Sequence, residues 1–161
     1  MTDIESGRRF PDESITDADR CLICATDEVA EAAIVFRDDL WACEIVDGFE
    51  VPGWFFLRAR RHALGWSELG AAELESFGRR VRDTVEAVSN ATGARATYVM
   101  NFGEAYPHFH CVVTARGEDV PPEFRSGNIL QLRRDKVDRG AALALMPAVR
   151  AAYQRESSRA F

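Results

Sequence analysis

The chain has no apolar run approaching the roughly 20 residues that span a bilayer, so no transmembrane helix is expected. It also lacks an excess of basic charge. Twenty Lys and Arg stand against 26 Asp and Glu, for a formal net charge of −6. Binders of duplex DNA or RNA usually present a basic face, and anionic membrane surfaces attract basic segments, so neither partner is expected. A small phosphorylated ligand is still permitted, because backbone amides and helix N-termini bind phosphate whatever the net charge. Residues 1–20 contain no apolar h-region, so no signal peptide is read there and the cytoplasm is the expected compartment. In that compartment Cys21, Cys24, Cys43 and Cys111 stay reduced unless they hold a metal. No internal repeat and no low-complexity segment interrupts the chain.

What is present suits a globular fold. Apolar residues make up 47% and charged residues 29% of 161 positions, enough for one domain with its own core. Residues 1–19 show little hydrophobic periodicity and read as a flexible arm, leaving residues 20–161 as a single domain. Ile34-Val35-Phe36, residues 40–45 and residues 54–59 read as strands, with Asp38-Asp39 and Pro52-Gly53 at the turns. Residues 71–90 carry Leu74, Phe77, Val81, Val85 and Val88 at spacings of three and four, which predicts one amphipathic helix stopped by Gly93. Residues 96–102 and 109–114 read as two further strands joined by a short connection. Gly117 opens a loop that runs to Asn128, residues 129–132 read as a short edge strand, and residues 140–154 as a C-terminal helix. The order β-β-β-α-β-β-α predicts an α+β fold, an antiparallel five-stranded sheet with the long helix and the C-terminal helix on one face.

The chemistry-bearing residues are few. Two of the three histidines lie in Pro107-His108-Phe109-His110-Cys111-Val112-Val113. On a strand, alternate side chains share a face. His108, His110 and Val112 therefore point one way, and Phe109, Cys111 and Val113 point toward the core. His108 and His110 would be about 7 Å apart at the backbone.

The stretch from Gly103 to Arg116 resembles the signature of the histidine-triad (HIT) superfamily, in which His-x-His-x-His is followed by apolar residues. Keeping Pro107 and Arg116 in place puts His108 and His110 at the first two triad positions and Val112 at the third. A second register would make Tyr106 the lost first histidine and His108 the central one; the anchors favour the first. Cys21-x-x-Cys24, Pro52-Gly53-Trp54, Arg60-Arg61-His62 and Glu68-Leu69 fall in the same family order. The resemblance covers residues 21–116 and is nearest to bacterial HIT-like proteins of the diadenosine-polyphosphate hydrolase-like branch.

The resemblance implies a HIT-like fold and a nucleotide or nucleotide conjugate as ligand. It also implies a hydrolase or transferase reaction at the α-phosphate through a nucleotidyl intermediate on His110. Nucleophilic catalysis of this kind splits one hard displacement into two easier ones. The nucleophile must be a neutral imidazole whose other nitrogen donates to a fixed acceptor, here expected to be a backbone carbonyl. Asn101 matches a position that binds phosphate or leaving group; as a residue of sequence alone it could equally satisfy a turn. Gly103, Glu104 and Tyr106 lie where backbone amides could cradle phosphate, with Val112 beside them. Valine neither donates a proton nor hydrogen-bonds, and general acid–base help is worth about 10²–10⁴-fold, so turnover is expected to be attenuated. The alternatives are a non-catalytic nucleotide-binding or regulatory module, or a HIT scaffold recruited to another reaction. HIT proteins are usually homodimers, and that is expected here.

Cys21-x-x-Cys24 alone is weak. A redox pair would follow a strand and open a helix, a pattern absent here, and two packed thiols are also possible. Related HIT proteins carry zinc on matching positions, so the resemblance implies structural Zn²⁺ on Cys21, Cys24, His62 and His108. Cys43 and Cys111 are expected in the core. Arg58, Arg60 and Arg61 could meet phosphate, though a solvated strand end is the preferred reading. Trp41, Trp54 and Trp66 are expected in core or dimer packing rather than under a base. Glu44 or Asp47 could contact ribose.

Overall fold

The computed structural model describes residues 20–159. The expected N-terminal arm, residues 1–19, lies outside them. The strands are β1 (Ile34–Arg37), β2 (Trp41–Glu44), β3 (Trp54–Ala59), β4 (Ala96–Met100) and β5 (His110–Arg116). They form one five-stranded sheet in the order β1-β2-β3-β5-β4, every neighbouring pair antiparallel. The α+β class and the five strands agree with the sequence expectation.

Strand alternation sorts the side chains. Trp41 and Cys43 of β2, Phe55 and Leu57 of β3, and Cys111 and Val113 of β5 share the main core. The other face of the same strands carries Glu44, Phe56, Arg58, His110 and Val112, because side chains alternate along a strand.

The helices are α1 (Ala71–Thr92), the short α2 (Arg133–Lys136), α3 (Arg139–Ala144) and α4 (Met146–Ser157). At the start of α1 the Gly70 amide donates to Glu73 Oε2 at 2.7 Å. At its end Gly93 takes φ 65° and donates to the Ser89 carbonyl, a left-handed cap that glycine adopts without steric cost. Burial on α1 falls on Glu73, Asp83, Thr84, Ala87 and Val88, with Phe77, Val81 and Val85 partly covered. Leu74, expected in the buried stripe, is 51% exposed. The helix is rolled so that small Thr84 and Ala87 face the sheet and allow close approach.

The single C-terminal helix expected from periodicity is two helices, broken at Leu145. Pro147 stands in the first turn of α4, where its missing N–H costs nothing, and it could not continue a preceding helix. Tyr153 of α4 stacks on Phe36 with ring centroids 4.3 Å apart. The expected edge strand at 129–132 is instead part of a 3₁₀ turn, Ser126–Leu132. Residues three apart eclipse in a 3₁₀ helix, so Ile129 and Leu132 both reach the cluster around Trp54 and Val51. Gly53 permits the tight entry to β3: it has φ +84°, and a Cβ there would lie 2.8 Å from the Ala115 side chain. Among the described residues no helix is long and apolar enough to cross a membrane.

Candidate functional site

The end of β3 and the start of β5 hold the histidines. The Ala59 amide donates to the Phe109 carbonyl at 3.1 Å, and the Phe109 amide to the Ala63 carbonyl at 2.6 Å. Between those bonds His108 is fully buried. Its Nε2–H donates to the Ala59 carbonyl at 2.6 Å. A carbonyl can only accept, so the lone pair of His108 sits on Nδ1.

That nitrogen points into a cluster with the side chains of Cys21, Cys24 and His62, the four residues expected from the resemblance. Their donor atoms all lie within 4.8 Å of one another. His108 Nδ1 is 3.5 Å from Cys21 Sγ, 3.3 Å from Cys24 Sγ and 3.3 Å from His62 Nδ1. Cys24 Sγ is 3.3 Å from His62 Nδ1. A tetrahedron with Zn–N and Zn–S bonds of usual length has N–N edges of about 3.3 Å and N–S edges of about 3.5 Å. The donor set and its spacing fit a structural zinc ion. Burial pushes the Cys24 thiol up to about 12, and the neighbouring Cys21 adds to this. Burial pushes His108 down to about 4, and the Arg58 charge adds to this. Without a cation Cys24 and His108 are therefore neutral, and a divalent ion would supply what stabilises a thiolate there. His108 keeps its tautomer through the Ala59 carbonyl, as ligating histidines commonly do through a carbonyl or carboxylate.

His110 stands one register step along. Its Nδ1–H donates to the His108 carbonyl at 2.6 Å. The unprotonated nitrogen is Nε2. The ring lies parallel to Phe56 with centroids 5.2 Å apart, and Tyr106 meets it edge-on at 6.4 Å. Burial lowers its pKa, opposed by the carbonyl bond. The ring is neutral at pH 7. The two histidines thus have different surroundings: His108 faces the Cys/His cluster, and His110 packs between Phe56 and Tyr106. Val112 is 6% exposed and packs with Cys21, Ile23, Val46 and Phe56.

Asn101 follows β4. Its Nδ2 donates to the His110 carbonyl at 2.7 Å, and its Oδ1 accepts from Trp66 Nε1 at 2.9 Å. It steadies the backbone of His110. In the connection that follows, Gly103 has φ 68°, Glu104 is exposed and Tyr106 is half-buried. A cleft of about 160 Å³ opens beside these residues, with Ile23, Thr26, Val46, Phe49, Phe56 and Tyr106 in its walls. His110 is 6% exposed and is not a wall residue of this cleft; Phe56 and Tyr106, which flank its ring, are.

Several residues hold positions that sequence reasoning missed. Arg58 is not a solvated strand end; it is fully buried. Its Nε and Nη2 donate to the two Glu44 oxygens at 3.0 and 2.9 Å, and Nη2 also meets Asp27 Oδ1 at 2.5 Å. Arg37 donates to Glu44 at 2.8 Å. Glu44 is therefore committed to two arginines and is not a ribose ligand. Asp47 lines the cleft but pairs with Arg139 at 3.0 Å. Arg60 donates to the Asp38 carbonyl at 3.0 Å, and Arg61 pairs with Glu73 at 2.8 Å. The ladder register explains the buried pair: Ala42 faces Arg58 and Glu44 faces Phe56. Glu44 and Arg58 are thus opposite charges at diagonal positions on one face. Trp41 and Trp54 are buried as expected, while Trp66 is 50% exposed against Phe77 and Phe109. Cys43 and Cys111 lie in the core.

The sequence matches no family model, and no curated protein is similar to it in sequence. Solved structures are similar in fold. A hypothetical histidine triad nucleotide-binding protein from Sulfolobus tokodaii strain7 shares 18% identity, with 84% of this chain and 93% of that one covered at a TM-score of 0.64. A zinc-bound histidine triad family protein from Mycobacterium smegmatis shares 16% identity over 86% of this chain and 96% of that one, at 0.63. A uridylyltransferase shares 15% identity over 84% of this chain but only 45% of its own, at 0.59. The chain has the fold of the histidine-triad proteins.

Proposed function

We propose that this chain is a HIT-like nucleotide-binding protein that attacks the α-phosphate of a nucleotide conjugate with His110. The observation that carries the reading is the His110 Nδ1–H···O=C bond to His108 at 2.6 Å. It leaves Nε2 as the only nitrogen able to attack. Nε2 forms a bond to the α-phosphorus as the bond from phosphorus to the leaving group breaks, and the leaving group takes a proton from water. Water, or a second acceptor, then displaces His110 from phosphorus and frees the product. Amides of Gly103, Glu104 and Tyr106, with Asn101, bind the phosphate in this reading. The apolar cleft beside Phe56 takes the nucleoside. Similarity in fold to a nucleotide-binding protein and to a uridylyltransferase supports a nucleotide as the ligand.

Zinc on Cys21, Cys24, His62 and His108 is structural in this reading: with four protein ligands it has no open position for substrate. It ties the segment that walls the cleft to the strand that carries His110. In this reading a second copy of the chain pairs at the free edge of β4, which carries exposed Val99, and the protein resides in the cytoplasm. The homodimer is checked by sedimentation.

A second reading has its own support. Val112 supplies no proton, and His110 is 6% exposed, so a module that binds nucleotide without turning it over fits the same geometry. Intact-mass spectrometry after incubation with an adenosine phosphoramidate or a dinucleoside polyphosphate separates the two. A nucleotidyl adduct lost in His110→Ala establishes the enzyme. Tight binding with neither adduct nor turnover establishes the module and ends the catalytic reading.

A further inference from the structure

The segment that brings Cys21 and Cys24 to the histidines is not held by them alone. Immediately after Cys24 the chain makes a 3₁₀ turn, Cys24–Glu28. Its residues are gripped from the sheet by the buried ion network. Arg37 donates to the Thr26 carbonyl at 2.9 Å and to the Asp27 carbonyl at 3.2 Å. Arg58 Nη2 binds the Asp27 carboxylate, and Arg58 is itself fixed by Glu44. Thr26 Oγ1 donates to the Ile23 carbonyl at 2.6 Å and lies 3.5 Å from Glu44 Oε2. Arg58 is fully buried with all its charge partners on this one side. Asp27 is the exposed end of the network, its side chain 41% accessible.

We propose that Arg58, acting through Asp27, is a positioning residue for the thiolate turn: it holds Cys24 at ligand distance before any metal arrives. Metal affinity is then set in part by an ion pair that touches neither the metal nor the substrate. The inference rests on the zinc reading above for its affinity term and on the hydrogen bonds alone for its structural term. The chemistry is that of outer-shell support, where loss of a partner that orients a metal ligand costs about 10–100-fold in affinity. The arrangement also gives the cleft two fastenings. Ile23 and Thr26 line it, one on each side of Cys24. The cluster holds the turn at Cys21 and Cys24, and the network holds it at Thr26 and Asp27.

The test uses the full chain and four variants. Asp27→Ala removes the Arg58 hold on the turn, keeping the Arg37 bonds to its carbonyls, without touching a ligand or leaving a buried charge alone. Asp27→Asn keeps an acceptor oxygen for Arg58. Arg58→Met with Glu44→Leu replaces the buried pair by apolar groups, avoiding the stranded carboxylate that Arg58→Met alone would create. Arg61→Met, a cation placed outside the network, is the control. Zinc affinity is measured by competition with a chromophoric chelator, and hydrogen exchange of residues 21–28 is followed in the metal-free protein. Asp27→Ala is expected to bind zinc about tenfold more weakly, and the Arg58→Met/Glu44→Leu double variant up to about 100-fold. Asp27→Asn should recover part of the loss, and Arg61→Met should bind as the parent does. The cobalt-substituted spectra of parent and variants should coincide, showing the donor set intact. In metal-free Asp27→Ala, amides of the turn should exchange faster while those of β3 and β5 do not. Unchanged exchange of the turn, or unchanged zinc affinity in both Asp27→Ala and the double variant, overturns the proposal. A parent chain that takes up no zinc sinks the metal reading instead, and the metal-free exchange still decides whether Asp27 holds the turn.

Discussion

On the helix-covered face of the sheet, Trp41, Cys43, Phe55, Leu57, Cys111 and Val113 form one apolar core under α1 and α4. On the opposite face the same strands carry Glu44, Arg58, Phe56, His110 and Val112, covered by the 3₁₀ segments Cys24–Glu28 and Ser126–Leu132 instead of long helices. One face is specified by volume, because close-packed apolar side chains resist any change of size. The other is specified by pairing, because each buried polar group there needs a particular partner. The Glu44–Arg58–Asp27 network and the Cys/His cluster show this for charge and for metal ligands. His110 and the Cys/His cluster lie on the face where pairing rules.

The largest effects should separate the two faces completely. His110→Ala is expected to remove turnover by about 10³-fold or more, as loss of a nucleophile does, while the melting temperature moves by only a few degrees. Residual turnover near the parent's would show that chemistry does not pass through His110. On the other face, Trp41→Ala removes a fully buried indole that also donates to Ser76 at 2.9 Å. It should cost about 3–5 kcal/mol of stability, measured by denaturant titration, yet leave the nucleotide affinity of the folded fraction unchanged. Metal removal comes next. With free zinc about a thousandfold above its dissociation constant, chelation should lower stability by about 4 kcal/mol. Hydrogen exchange should localise the loss to the roof of the cleft and leave α1 and α4 protected; a uniform rise across both faces would make the metal a pillar of the whole fold.

A smaller change tests the third triad position. Val112 is packed with Cys21, Ile23 and Phe56, so Val112→His overfills an apolar site and should cost about 1–3 kcal/mol. In exchange it restores a group able to give a proton, and turnover at low temperature should rise about tenfold or more. Lower turnover in a variant that still folds would overturn the reading that Val112 limits turnover.

The faces were also unequally legible in the sequence. Period-two alternation and the helical stripe located the five strands and α1, because an apolar core repeats its signal many times. The Cys/His cluster was legible through the family resemblance, which implied Cys21, Cys24, His62 and His108 together; Cys21-x-x-Cys24 alone was a weak signal. The Arg58–Glu44 pair was not, since a charged residue at a strand end is usually solvated and nothing local marks its partner 14 residues away. Nor was the break at Leu145 read from the pattern, although Pro147 marks it. Leu74 was misplaced for a similar reason: spacing defines a stripe on the helix, but contact with the sheet decides which edge of the stripe is buried.

Leu74 yields the smallest and most discriminating prediction. In the isolated chain its side chain is 51% exposed, whereas Val88 on the same helix is fully buried. Val88→Ala should therefore cost about 1–3 kcal/mol, the range for loss of buried methyl groups. Leu74→Ala should cost no more than about 0.5 kcal/mol if that surface meets only water. A second copy seated along α1 and the free edge of β4 changes the expectation. Stability at high protein concentration would then fall on Leu74→Ala, and stability at low concentration would not, because association stabilises only the assembled state. Thermal melts of the parent and the variant across a hundredfold range of concentration read this directly. Parallel curves at every concentration would leave Leu74 facing solvent and remove α1 from any interface, so that the roll of the helix serves packing against the sheet alone.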